Sequence, residues 1–341
     1  MTNPAVTVFI PTWNRADYLR ETIHSVLNQT HQPVQLIVLD DASSDTTPEV
    51  VAKFASDPRF SSVRHPQNVG MAANWRAGLE LVKTPYFCLL NDDDLLAPDC
   101  IEKLLAPMLA DEELIVSFCD HWVIDGEGKV LEEATEVTAQ RHGRAQLTTG
   151  RCSDFGEATV IHRSLHISCS LLRTALVPPE FIEKRAQGFA CGWMFYQCYL
   201  TGHPAYYVSE RLASYRVHDG NMIGNPAMSG YISDGQIFWC AQLLKDPLPE
   251  PLRSRTHAQV AGIYTSHAFS LLTAGRHSDA ADFFNKALSI QPSLKATIGN
   301  LLNQCGGVGR ALVGVLRQHF GKTKESMMHQ FLPPMVSVLS L

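Results

Sequence analysis

The sequence predicts an α/β fold, a doubly wound and mostly parallel sheet followed by a C-terminal α-helical appendage. Over the first 120 residues, short apolar runs alternate with segments of helical period, the pattern of parallel strands joined by crossover helices. Those runs end on acidic or polar turns, most visibly at Asn91-Asp92-Asp93-Asp94. A proline-rich stretch, Asp246-Pro247-Leu248-Pro249-Glu250-Pro251, then separates a region patterned as helices alone.

Each element has its own reason. Val6-Thr7-Val8-Phe9-Ile10 is a β-branched first strand ending at Pro11. Leu19, Ile23, Val26 and Leu27 cover one face of the helix after it. Residues 34–39 form the second strand, and a short helix follows at about 48–54. Ser62-Val63-Arg64 is a short third strand, and Asn68-Val69-Gly70 opens the next helix. Tyr86-Phe87-Cys88-Leu89-Leu90 is too short for a helix and reads as a strand buried on both faces. Residues 114–119 continue the sheet, and Asp125-Gly126-Glu127-Gly128 turns it back through Val130-Leu131. From 132 to about 157 polarity is high and periodicity poor, which predicts a mobile loop. Core patterns return at 167–177 and 189–200, with two further strands at 206–208 and 212–217.

Past the proline-rich linker, Tyr264, His267, Ala268, Leu271, Ala280, Phe284, Ala287 and Pro292 fall at the spacing of one tetratricopeptide-type hairpin. A plain amphipathic helix pair reads equally well. The expected organisation is a catalytic-type domain over 1–245, in halves 1–120 and 121–245. A helical hairpin over 252–300 and an unassigned helical tail over 301–341 follow, with one more helix near 313–319.

Composition narrows the function. A formal net charge of −6 and no basic run give no footprint for nucleic acid. The nine cysteines form no C-x-x-C pair, so neither a zinc site nor a disulfide framework is indicated. No Lys or Arg precedes Arg15, and no apolar stretch reaches the roughly 18 residues that span a bilayer. A cytoplasmic protein is expected, with at most peripheral contact at the inner face of the membrane.

Three polar clusters follow strand ends: residues 12–14, 40–45 and 91–94. In a parallel sheet all three converge on the edge where α/β proteins bind ligands. Adjacent aspartates repel unless a cation or donors offset them, so 91–94 points to Mg²⁺ or Mn²⁺. Carboxylates and amides there can read a base and a ribose, and Asn68-Val69-Gly70 offers backbone N–H groups to an anion. Taken singly, Asp40-Asp41 reads as a helix cap and Asn14 as a turn residue.

Together these residues resemble family-2 glycosyltransferases of the GT-A fold. Val6 through Asn14, Leu39-Asp40-Asp41-Ala42-Ser43-Ser44-Asp45, Asn68-x-Gly70 and Asn91-Asp92-Asp93-Asp94 carry the likeness in order and spacing. It extends more loosely to Tyr215-Arg216-Val217-His218, similar to the family's Tyr-Arg-x-His segment. The resemblance implies that Pro11, Thr12, Asn14, Asp41, Asn68, Asn91 and Asp92 bind the nucleotide, with Asp41 on the base. It implies that Asp93 is a metal ligand and that His218 contacts metal or phosphate. It also implies an inverting, metal-assisted transfer from a nucleotide-diphosphate sugar, UDP-type, to a glycan or lipid-linked acceptor, as in polysaccharide biosynthesis. One departure stands out. The family's acidic pair before an amphipathic helix falls on Cys191-Gly192-Trp193, which holds no carboxylate. The general base is therefore unassigned, with Glu180, Glu183, Asp154 and Glu157 the nearest acids. That gap leaves open a nucleotide-sugar-binding protein with weak or no transfer. A third reading makes the C-terminal helices a docking site for a protein partner.

Overall fold

The computed structural model describes residues 3–221 and 229–314, which divide into two compact units at His218/Asp219. The first unit opens with β1 (Val6–Thr12), α1 (Ala16–Leu27), β2 (Val34–Asp40), α2 (Thr47–Ala52) and β3 (Phe60–Arg64). Next come α3 (Met71–Leu81), β4 (Tyr86–Leu89), β5 (Leu95–Leu96), α4 (Cys100–Ala110) and β6 (Val116–Ile124). It closes with α5 (Glu132–Arg141), β7 (Gly150–Arg151), β8 (Ser170–Arg173), α6 (Ala190–Leu200) and β9 (Ala205–Arg216).

The strands form one sheet in the order β3-β2-β1-β4-β8-β6-β9-β5, with β7 on β9. β1, β2, β3 and β4 are mutually parallel, so their carboxyl ends share an edge. β8 runs antiparallel between β4 and β6. Alternation along β1 sorts its side chains. Val6, Val8 and Ile10 join Leu19, Ile23 and Leu104 on one face of the sheet. Phe9 joins Trp75, Leu79 and Phe87 on the other. Both faces are covered, which is why the strands read as unbroken apolar runs.

Three expectations change. Residues 132–141 are helical rather than a mobile loop, because Ala134, Thr135 and Ala139 give a short, small-residue buried face. Their low hydrophobicity hid the period. The expected strands at 206–208 and 212–217 are one twelve-residue strand, β9, whose pairing shifts register opposite Asp120. A bulge of this kind breaks the two-residue alternation that a sequence reading follows. Residues 189–200, expected only as core, are mostly α6.

The second unit holds α7 (Ser229–Leu243), α8 (Leu252–Thr273), α9 (His277–Ile290) and α10 (Leu294–Gln304). The division at residue 218 falls before the expected boundary at 245, because α7 packs on α8. Tyr264, Ala268, Leu271, Ala280, Phe284 and Ala287 are buried, His267 is partly buried and Pro292 is exposed. The helix expected near 313–319 lies mostly outside the described residues.

Candidate active site

The parallel strands deliver three loops to one edge, and side chains of each loop bind its neighbours. Asn14, in a left-handed conformation that Asn tolerates, accepts the Ser44 N–H at 2.7 Å. The Ser43 hydroxyl accepts the Asn14 N–H at 2.9 Å. Asp40 pairs with Arg64 and accepts the Ser43 N–H at 2.8 Å. Asp41 turns the other way. Its two oxygens accept the N–H groups of Val69 (2.7 Å) and Gly70 (2.9 Å). Gly70 sits at φ 86, where a side chain would be strained, so that its N–H can face the carboxylate at the start of α3. Asn68 reaches back to the Asp41 carbonyl at 3.4 Å. Asp41 is thus a loop cap, and its remaining lone pairs are still available to a ligand.

The acidic loop after β4 splits its residues between two roles. Asp94 is fully buried and accepts the Ser168 hydroxyl (2.6 Å), the Asn91 amide (3.1 Å) and the Arg216 backbone N–H (3.0 Å). The Asn91 side chain therefore points to Asp94 rather than standing ready for a ribose. The Thr12 hydroxyl is buried at the end of β1 and makes no hydrogen bond among the described residues. Burial, then the charge of Asp93, pushes Asp92 up to about 7 and Asp94 up to about 8.

Asp93 faces the end of β9. Its Oδ2 stands 3.2 Å from His218 Nε2 and 4.0 Å from the Arg15 guanidinium. Arg15 lies 2.9 Å from the same Nε2. A guanidinium only donates, so Nε2 accepts from Arg15 here, and its lone pair turns to a cation beside Asp93 only when Arg15 gives way. A separation of 3.2 Å also suits two neighbouring ligands on an octahedral ion with bonds of about 2.1 Å. The pair fits a small divalent cation. Among the described residues no cluster of three or more His, Cys, Asp or Glu could hold one, so a diphosphate and water would complete the shell.

Sequence reasoning missed three residues here. Arg216 is 1% exposed and donates to the carbonyls of Asp93 (2.9 Å) and Gly126 (3.1 Å) and to the Glu21 carboxylate (2.7 Å). It lies in the Tyr-Arg-x-His segment, which was a usable signal. Trp13 is 54% exposed between Thr12 and Asn14, an aromatic surface at the ligand edge. Ser168 has no sequence signal; the antiparallel entry of β8 puts it under the acidic loop.

Near 191 the structure agrees with the sequence. Cys191 lies in the first turn of α6 against the Ile167 backbone, its thiol pushed up to about 12 by burial. It cannot serve as a base. Glu180 pairs with Arg76, and Glu183 accepts from Arg185, which holds its carboxyl below the ordinary value. Asp154 accepts the Glu157 N–H at 2.8 Å, and Glu157 is buried 3.6 Å from His162.

The family model for glycosyl transferase family 2 matches residues 7–167, which contain the first two loops, the acidic loop and Ser168's neighbour Ile167. Residues 7–167 are a family-2 glycosyltransferase domain. A putative glycosyltransferase of Bacillus subtilis, EpsH, is 26% identical over 234 residues, 65% of this chain; the chain spans 64% of that protein's length. The fold of the family-2 domain is GT-A, as in TarS from S. aureus, solved with UDP-GlcNAc. That structure superposes with a TM-score of 0.65 at 15% identity, covering 92% of each chain. The mannosyltransferase PcManGT from Pyrobaculum calidifontis, solved with GDP-Man and Mn²⁺, gives 0.56 at 18% identity, over 98% of this chain and 86% of that one.

The acidic loop of the family-2 domain depends on Arg216. Arg216→Met should lower stability by about 3 kcal/mol, the lower end for breaking a buried ion pair, because Glu21 is half exposed and can be rehydrated. Urea unfolding of the variant and parent measures this.

Proposed function

We propose that this protein transfers a sugar from a nucleoside diphosphate sugar, UDP-type, to a hydroxyl of a glycan or lipid-linked acceptor. The observation that carries the reading is the Asp93–His218 pair at the shared carboxyl edge of the parallel strands. Thr12, Asn14, Asp41 and the Asn68-Val69-Gly70 turn surround that edge and would hold the nucleotide. Mn²⁺ or Mg²⁺ held by Asp93 and His218 would supply a Lewis acid to the departing diphosphate. The acceptor oxygen would bond to the anomeric carbon as the bond to the diphosphate breaks, with inversion.

A carboxylate for the acceptor proton is missing at 190–192. The first turn of α6 nevertheless has room for one: a Cβ on Gly192 would meet only the Phe189 ring, at 3.5 Å. An acid there would also favour the helix N-terminus. Likeness to proteins named as glycosyltransferases supports transfer over mere binding.

Asp93→Ala and His218→Ala should each remove the Mn²⁺-dependent part of UDP-sugar binding and leave the chelator-resistant part. Titration calorimetry with and without chelator separates the two, and unchanged Mn²⁺ dependence overturns the metal assignment. Asp41→Ala should weaken UDP binding in chelator by around ten- to a hundredfold, the worth of a hydrogen bond to a charged group at roughly 1.5–3 kcal/mol. It should also lower the melting temperature, since two N–H groups lose their acceptor. Gly192→Asp should raise sugar transfer from a UDP-sugar pool at least tenfold without lowering the melting temperature, a supplied base being worth about 10²–10⁴. A flat rate would mean that another group already takes the proton.

A further inference from the structure

The second unit carries a helix packed the wrong way round for a freely soluble surface. α10 turns its small residues inward: Ala296, Gly299 and Asn303 are buried. Gly299 is required there, since a Cβ would meet the rings of Phe284 at 2.4 Å and Phe269 at 2.7 Å. Asn303 fixes the rotation further, donating to the His277 carbonyl at 2.9 Å and lying 3.0 Å from its ring nitrogen. The large aliphatics are left outside. Leu294, Ile298 and Leu301, at i, i+4 and i+7, share the outer face, and Val308 and Leu312, past the positive-φ Gly306, are exposed as well. Leu294 and Val308 are each 77% exposed. Contiguous apolar surface of this kind marks a docking site.

Charge and side-chain type say what docks. The chain carries a net charge of −6, yet the described residues 283–314 hold three Lys or Arg and no Asp or Glu, with Asp279 and Asp282 in the earlier turns of α9. The three are Lys286, Lys295 and Arg310, on or beside the same helices. Protein interfaces favour Trp, Tyr and Arg as anchors and under-use Leu and Val. An aliphatic face on a helix that carries Lys295 and no acid instead suits the boundary between lipid headgroups and acyl chains. We propose that the outer face of α10, with Val308 and Leu312, docks on an anionic lipid bilayer without crossing it. This goes beyond the sugar-transfer reading and is tested without it, because the readout is vesicle binding alone.

The full-length chain is sedimented with vesicles of phosphatidylcholine, alone or with about one-third phosphatidylglycerol. Binding is expected on the anionic vesicles, and should fall steeply at about 0.5 M salt. Leu294→Asn with Leu301→Asn and Val308→Asn should weaken it at least tenfold while the melting temperature holds, since all three side chains are exposed. No binding above the phosphatidylcholine level, or binding that the triple variant retains, overturns the proposal. So does a dimer in light scattering that the triple variant dissolves, which would assign the face to a second copy of the chain.

Discussion

A buried guanidinium sets the geometry of the candidate site. Arg216 leaves the end of β9 and binds the backbone of the acidic loop, the turn after β6 and the Glu21 carboxylate on α1. Its own N–H closes on Asp94, so a single residue fixes both the main chain and a side chain of that loop. The Tyr18 ring under the guanidinium, 4.9 Å away, also packs against His218 at 4.5 Å. What presents Asp93 to His218 is therefore a donor network behind the loop, and the two ligand-facing groups need make few bonds of their own.

That arrangement answers the electrostatic problem of three adjacent carboxyls. Asp94 is disfavoured as an anion by burial and by Asp93, and the Ser168, Asn91 and Arg216 donors offset part of that cost. Only Asp93 is left beside an imidazole and a guanidinium at the edge. The division of labour leaves Asp93 as the loop carboxylate that meets the imidazole. It also explains why the position of Asn91 tolerates an amide: its work here is to donate to Asp94 at 3.1 Å.

The two units bury apolar surface by different rules. In the family-2 domain, both faces of a parallel sheet are covered and large aliphatics point inward. In the helical unit, α10 approaches α9 closely through Ala296 and Gly299 and turns its leucines out. Close helix contact fixes which face is buried, because a glycine against an aromatic ring leaves no alternative rotation.

The sequence by itself determined that the first strands are parallel and that their polar ends meet at one edge. Those depend on local period and on the helical crossovers that parallel neighbours require. It also singled out Asp93 and His218, through segments similar to a known family, and the structure brings the two within 3.2 Å. Glu132 to Arg141 escaped it, since a helix buried through alanines and a threonine has little hydrophobic period. The roles of Ser168 and of Arg216, although Arg216 lies in the Tyr-Arg-x-His segment, escaped it for a different reason. Their partners lie about 75 to 195 residues away along the chain, and no local pattern encodes such a bond. Whether Asp41 is a cap or a ligand contact was undecidable from spacing. Tertiary structure made it a cap with lone pairs to spare, because the left-handed Gly70 turns its N–H back onto the strand end.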